Sequence, residues 1–146
     1  MTLPGVVLAV DVGTVRVGVA ASDPHRILAS PVETVVAPGH ERVAALVAER
    51  AAVLVLVGLP TSMSGTSSSA SAVMAREWTA AFSGLVAPVE VRLVDERLTT
   101  VTALASLRAA GRTSRSSRAV VDQAAAVALL QAYLDAPGAR DRKISP

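Results

Sequence analysis

Val6 to Val10 is an unbroken apolar run rich in β-branched residues, the pattern of a strand buried on both faces, and it stops at Asp11. Val15 to Ala21 is again β-rich, and the intervening Asp11-Val12-Gly13-Thr14 supplies the glycine that a tight reversal needs, so the two segments predict a hairpin. Ile27 to Val36 follows as a third strand. Pro31 places it at a sheet edge, because proline cannot donate to a central ladder. From His40 to Ala51 the period lengthens to that of a helix, with Val43, Leu46 and Val47 on one face and Glu41, Arg42, Glu49 and Arg50 on the other. Val53 to Val57 is a second wholly apolar strand, closed by Gly58-Leu59-Pro60. The Ser, Thr and Gly loop after it, to about Ser69, is of the kind that carries function at strand ends.

Ser71 to Phe82 reads as a helix in which Trp78, the only tryptophan, is a packing residue. A fifth strand, Val89 to Val94, runs straight into Asp95-Glu96-Arg97. Thr99 or Thr100 can cap a helix that stops near Gly111, and Ser116 or Ser117 can cap a last helix reaching about Asp135. Pro137 to Pro146 is polar and reads as a flexible tail. Three strands, two βα alternations and a closing helix predict an α/β fold: a mixed sheet with helices on its faces, in one domain over residues 1–136.

Composition narrows the class. A chain of 146 residues has room for one self-sufficient core and not for two. Although 51% of residues are hydrophobic, the apolar runs are short, and none approaches the roughly 20 residues of a membrane-spanning helix. The start, MTLPGVVLAVD, lacks the basic segment of a secretory signal and reads as a strand, which predicts a cytoplasmic protein. Zero cysteines exclude a disulfide framework, a thiolate zinc site and a cysteine nucleophile. The net charge of +2 is modest but uneven. Arg92, Arg97, Arg108, Arg112, Arg115 and Arg118 crowd a window whose only acids are Asp95 and Glu96. Arginine's planar fork suits bidentate phosphate contacts, although the same side chains could simply be a solvated face.

The sharper chemistry lies in the carboxylates. Asp11 directly follows five apolar strand residues, so it sits at the end of a central strand, where an uncompensated charge is costly. A metal ion would compensate it, and so would a cap on the following turn. Asp95-Glu96 leaves the carboxyl end of another strand, the place where open α/β sheets bind ligands. Alternation groups Asp95 with Val89, Val91 and Leu93, and Glu96 with Glu90 and Arg92; it does not choose between the two acids. Asp122 heads a helical face continued by Ala126, Leu129 and Tyr133, in a helix apolar enough all round to be largely buried. A favourable helix dipole is the plain account of an acid there. The alanine run beside it would also let that helix approach a sheet closely. Three oxygen donors from three elements, without histidine or cysteine, favour a hard ion such as Mg²⁺ or Mn²⁺. Pairs of such ions, about 3.5–4 Å apart, activate water and stabilise the leaving oxygen in phosphoryl chemistry.

Four segments carry a family resemblance: AVDVGTVRVGVAASD (9–23) with SPVET (30–34), VGLPTSMSGT (57–66), VDERLTT (94–100) and VVDQAAAVALLQAYLD (120–135). In this order and spacing the chain resembles the YqgF/RuvX proteins, Holliday junction resolvases also described as pre-16S rRNA nucleases. The resemblance implies an RNase H-like fold, a mixed five-stranded sheet whose first three strands are antiparallel, with helices on both faces. It implies metal-dependent cleavage of structured RNA or branched DNA, with catalytic and metal-binding acids falling on Asp11, Glu96 and Asp122, and so prefers Glu96 to Asp95. It brings Gly13, Thr14 and the loop from Gly58 to Gly65 near the phosphates. Arg16, Arg97 and the Arg112, Arg115 and Arg118 link are then nucleic-acid ligands. That link carries arginine and serine where the family is richer in lysine. A four-way junction substrate would call for a homodimer, whereas trimming a ribosomal RNA precursor would not.

Two other classes compete. Asp-x-Gly-Thr after a buried strand is also the first phosphate loop of actin-like ATP-binding proteins, but those close two such domains around the nucleotide, and GLPTSMSGT lacks the lysine of a P-loop. A non-catalytic nucleic-acid-binding module is the other, and the three acids argue against it.

Overall fold

The computed structural model describes residues 3–60, 69–96 and 115–136, the last segment with its side chains from residue 123 onward. The helix expected to end near Gly111, most of the loop after Pro60 and the tail from Pro137 lie outside the described residues. Five strands, β1 (Val6–Val12), β2 (Arg16–Ser22), β3 (Ala29–Val36), β4 (Ala52–Leu59) and β5 (Glu90–Asp95), form one sheet in the order β3-β2-β1-β4-β5. β1, β2 and β3 are antiparallel neighbours, while β4 runs parallel to β1 and β5 parallel to β4. Helices α1 (His40–Glu49) and α2 (Ala70–Val86) cover one face, and α3 (Arg115–Asp135) covers the other. This is the expected mixed, two-sided sheet, with β1 in the centre and Pro31 on an edge strand.

Alternation along the strands divides the core in two. Leu8, Val10, Val17, Val19, Val55 and Val57 pack against Val43, Leu46 and Val47 of α1 and against Trp78, Phe82 and Val86 of α2. Trp78 is a packing residue, as expected: its ring stacks on Phe82 with centroids 4.6 Å apart and lies 4.9 Å from His40. Its indole N–H donates to the Pro38 carbonyl at 2.7 Å, which satisfies the polar end of a buried ring. On the opposite face Val7, Ala9, Ala20, Ala29, Leu54 and Leu56 meet Ala126, Leu129, Leu130 and Leu134 of α3. Alanine on both sides of this second layer lets helix and sheet approach closely, and none of residues 123–134 is exposed.

Most element ends shift by one or two residues from the sequence expectation, β3 for example starting at Ala29 and α1 ending at Glu49, and three differences have a clear physical cause. α2 continues to Val86 because Trp78, Phe82 and Val86 extend one buried face at four-residue spacing. β4 does not stop before Gly58, since its parallel ladder with β5 continues to the Leu59–Asp95 pair. α3 already includes Arg115, so Ser116 and Ser117 lie within its first turn and neither is its cap.

The connection from β2 to β3 is held from inside. Arg26 is fully buried, in the left-handed backbone region at φ 60°, and its guanidinium donates to the carbonyls of Gly5 and Pro4 at 3.0 Å each. Asp23 closes the same loop by accepting backbone N–H bonds from Leu28 and Ile27 at 2.8 Å and from His25 at 3.1 Å. Within β3, Val19 pairs with Glu33 but Ala20 with Pro31, so the register shifts by one residue at Val32. That shift keeps both Ala29 and Thr34 on the α3 face.

Candidate functional site

β1 presents Val7, Ala9 and Asp11 to the α3 face, and Asp11 is the last of the three, at the strand's carboxyl end. Because β1 is central, Asp11 has a neighbour on each side. On β2 its partner is Gly18; on β4 the step after the Val10–Val57 pair brings it alongside Gly58. Neither neighbour carries a side chain, so the half-buried Asp11 carboxylate stands between two strips of bare backbone.

Glu96 reaches the same place from β5. It continues the alternation Glu90, Arg92, Val94, of which Val94 packs in the α3 layer. Its side chain lies across Gly58: a Cβ there would come 2.9 Å from Glu96 Oε1, 3.2 Å from its Cγ and 3.3 Å from Leu129 Cδ2. Glycine at position 58 is therefore what leaves room for the Glu96 carboxylate beside Asp11. Asp95 pairs with Leu59 and falls on the opposite face with Val91 and Leu93, which pack towards α1 and α2. Of the two adjacent acids, Glu96 shares a face with Asp11 and Asp95 does not.

The backbone of Asp122 lies in α3, four residues before Ala126, which is fully buried against the sheet; its side chain is outside the described set. α3 is oriented by two glutamines, the only ones in the chain. Gln123 donates from Nε2 to Thr34 Oγ1 at 2.9 Å. Thr34 pairs with Gly18, and Gly18 with Asp11, so Gln123 is level with Asp11 on the sheet. Gln131, two turns further on, accepts from the Ala29 N–H at 2.9 Å and donates to the Ile27 carbonyl at 3.1 Å. The early part of α3 thus stands at the Asp11 end of the sheet.

The phosphate-contact candidates divide. Gly13 makes the β1–β2 turn: its N–H donates to the Arg16 carbonyl at 2.9 Å, and a Cβ would meet that oxygen at 2.6 Å. Thr14 is exposed at the tip. Arg16 opens β2 on the α3 face, two residues before Gly18, at the same end of the sheet as Asp11. Arg97 and Arg112 lie outside the described residues; Arg115 and Arg118 contribute backbone to α3, but their side chains lie outside the description. Sequence reading passed over Gly18, Thr34 and Gln123. Only Gly18 left a signal, as a glycine inside a β-rich run, which marks close approach. Among the described residues no three His, Cys, Asp or Glu side chains gather as a metal site. The pair at Gly58 is oxygen-only and lies in a cradle that a single methyl group would fill, a donor set that fits a hard divalent cation.

Residues 5–136 match the family described as RuvX: Holliday junction resolvase. The chain belongs to the RuvX family. Its RuvX relatives include a Streptomyces coelicolor protein named "Putative pre-16S rRNA nuclease", 52% identical over 132 residues, covering 88% of this chain and 78% of that one. A Mycobacteroides abscessus protein of the same name is 54% identical over 136 residues, covering 88% and 80%. Among solved structures the chain is similar to RuvC of Thermus thermophilus. The complex with Holliday junction substrate matches at TM-score 0.51 and 13% identity, and a second RuvC structure at TM-score 0.54 and 15% identity. Each match covers 88% of this chain and 92% of the other. At such identities the likeness speaks for fold alone, and the fold it shares with RuvC is the RNase H-like fold that the family resemblance implied.

Proposed function

We propose that this RuvX chain is a nuclease that hydrolyses phosphodiester bonds in structured nucleic acid with the help of Mg²⁺ or Mn²⁺, held by Asp11, Glu96 and Asp122. The observation that carries the reading is the convergence at Gly58. Asp11 from the central strand and Glu96 from the neighbour beyond it meet over a residue without a side chain, on the face that α3 covers. Two carboxylates on one face at one end of the sheet are the oxygen donors that a hard divalent cation takes. Bound divalent metal supplies an activated water and neutralises charge on the phosphate in reactions of this type.

The chain's own groups do the rest. Gly13 and Thr14 bring the hairpin tip close to the nucleic-acid backbone, and Arg16 adds a guanidinium at the same end of the sheet. Arg97, Arg112, Arg115 and Arg118 complete the basic surface in this reading. The names of the relatives favour a precursor of 16S ribosomal RNA as substrate; the family description favours a four-way junction, which would engage a homodimer. A cytoplasmic setting belongs to the same reading. The test is cleavage of a 5′-extended 16S precursor and of a four-way DNA junction, side by side, with Mg²⁺ and with Mn²⁺. Metal-dependent cleavage of either, lost in Asp11→Asn, is expected. Tight binding of both substrates without cleavage would replace the enzyme by a binding module.

A further inference from the structure

We infer that Gln123 and Thr34 form a positioning pair, whose hydrogen bond sets the height of α3 along the sheet and so brings residue 122 level with Asp11. The inference rests on the metal-site reading above and adds to it two residues that touch neither metal nor substrate.

The apolar contacts of α3 cannot do this alone. Hydrophobic burial is non-directional, and on β1, β2 and β3 the layer under α3 presents Ala9, Ala20 and Ala29 beside Val7, with the larger Leu54 and Leu56 on β4; the small side chains leave shallow ridges. A helix on such a surface is held down firmly but registered weakly. Directional bonds must supply the register, and among the described side chains of α3 they come from Tyr133, whose hydroxyl accepts a long 3.4 Å bond from Arg92 of β5, and from two glutamines, Gln123 and Gln131, that bond β3 and the loop just before it. The two have different duties. Gln131 pairs its carboxamide with the Ala29 N–H at the start of the edge strand and with the Ile27 carbonyl just before it, at the opposite end of the sheet from Asp11, where it covers groups that an edge would otherwise expose. Gln123 binds a side chain, Thr34 Oγ1, that stands in one cross-strand row with Gly18 and Asp11. It also directly follows Asp122 in the helix. A carboxylate delivered from a helix to an ion shared with strand carboxylates must be held to about 0.5 Å, which places the pin where the tolerance is smallest.

The experiment compares Thr34→Val, Thr34→Ser, Gln123→Leu and Gln131→Leu with the wild type and with Asp11→Asn. The readouts are Mn²⁺ binding, followed by the electron paramagnetic resonance signal of free Mn²⁺, and the Mg²⁺ concentration giving half-maximal cleavage of the 5′-extended RNA. Thr34→Val keeps the shape and removes the acceptor, so it is expected to weaken Mn²⁺ binding about tenfold or more and to raise the Mg²⁺ requirement in step, as loss of an outer-shell partner does. Gln123→Leu should match it. Thr34→Ser restores the oxygen and should restore both values. Gln131→Leu should lower the melting temperature while leaving both metal readouts unchanged. Wild-type Mn²⁺ binding in Thr34→Val would overturn the proposal, and so would an equal loss in Gln131→Leu, since general loosening of α3 would then be the cause. Should Asp11→Asn bind Mn²⁺ and cleave like the wild type, the metal-site reading falls and the pair with it. If Asp11→Asn is inactive and Thr34→Val is unaffected, only the pair falls.

Discussion

Glu96 occupies the space above Gly58 that any other residue would fill, with Oε1 2.9 Å and Cγ 3.2 Å from the position of a Cβ. The backbone of β4 pairs with Val94 of β5 at Gly58 and with Val10 of β1 one residue earlier, which limits its retreat, and Leu129 closes the space at 3.3 Å. Gly58→Ala should therefore displace the Glu96 side chain before it moves the strand. The expected result is a fall in cleavage rate of tenfold or more, with a stability loss of about 1–3 kcal/mol for the added methyl group. Rate and thermal melting measured on one preparation separate the two. A wild-type rate in Gly58→Ala would mean that Glu96 is not needed where the structure holds it.

Adjacent acids on opposite faces make a second prediction. Glu96→Gln removes charge from the carboxylate that shares a face with Asp11, and Asp95→Asn removes it from one that does not. Glu96→Gln should lose at least about 10²-fold in rate, in line with removal of a group that stabilises charge at the reacting centre. Asp95→Asn should stay within a few-fold of the wild type. The reverse order would move the site to the other side of the sheet.

How much of this was legible in the sequence depends on the period over which each signal acts. Strand and helix identity is a local property, and the runs at Val6–Val10 and Val53–Val57 showed it plainly. Asp11 was legible because a charge that ends such a run is costly. The choice between Asp95 and Glu96 was not, because alternation separates the faces of β5 without saying which faces α3; that is decided by the register of β4 against β1 and β5. Thr34 and Gln123 are 89 residues apart, and polar residues at a strand and a helix carry no mark of a bond that only the packed fold creates. Arg26 was overlooked for a related reason: arginine in a turn reads as solvated, and its burial follows from the carbonyls of Pro4 and Gly5, some 20 residues earlier.

That burial has its own consequence. Arg26 is fully inaccessible, and its guanidinium ties the segment before β1 to the β2–β3 loop through those two carbonyls. Arg26→Met preserves much of the volume but leaves the half-buried Gly5 carbonyl without its donor, at a cost of about 1–3 kcal/mol, whereas at the exposed Pro4 water can take the donor's place. A drop in melting temperature of roughly 5–10 °C is expected for a domain of this size. Cleavage at 25 °C should change little, because the loop lies at the opposite end of the sheet from Asp11. A melting temperature equal to that of the wild type would show the anchor to be dispensable.

Asp23 in the same loop links stability to pH. The Leu28 N–H lowers its carboxyl pKa most, the Ile27 and His25 N–H groups add to this, and partial burial opposes them, leaving the value below the ordinary carboxylate range. An acid whose folded value lies below its unfolded value, about 3.9, contributes stability above that pH and loses it as the pH falls through the folded value. With the side chain 34% exposed, solvent screening limits the effect to about 1 kcal/mol. Asp23→Ala should accordingly melt roughly 2–4 °C below the wild type at pH 7, and the gap should narrow as the pH is taken below 3. Thermal melting of both proteins across pH 2–7 tests this. A gap that stayed constant across that range would assign the loss to packing rather than to the ionised carboxylate.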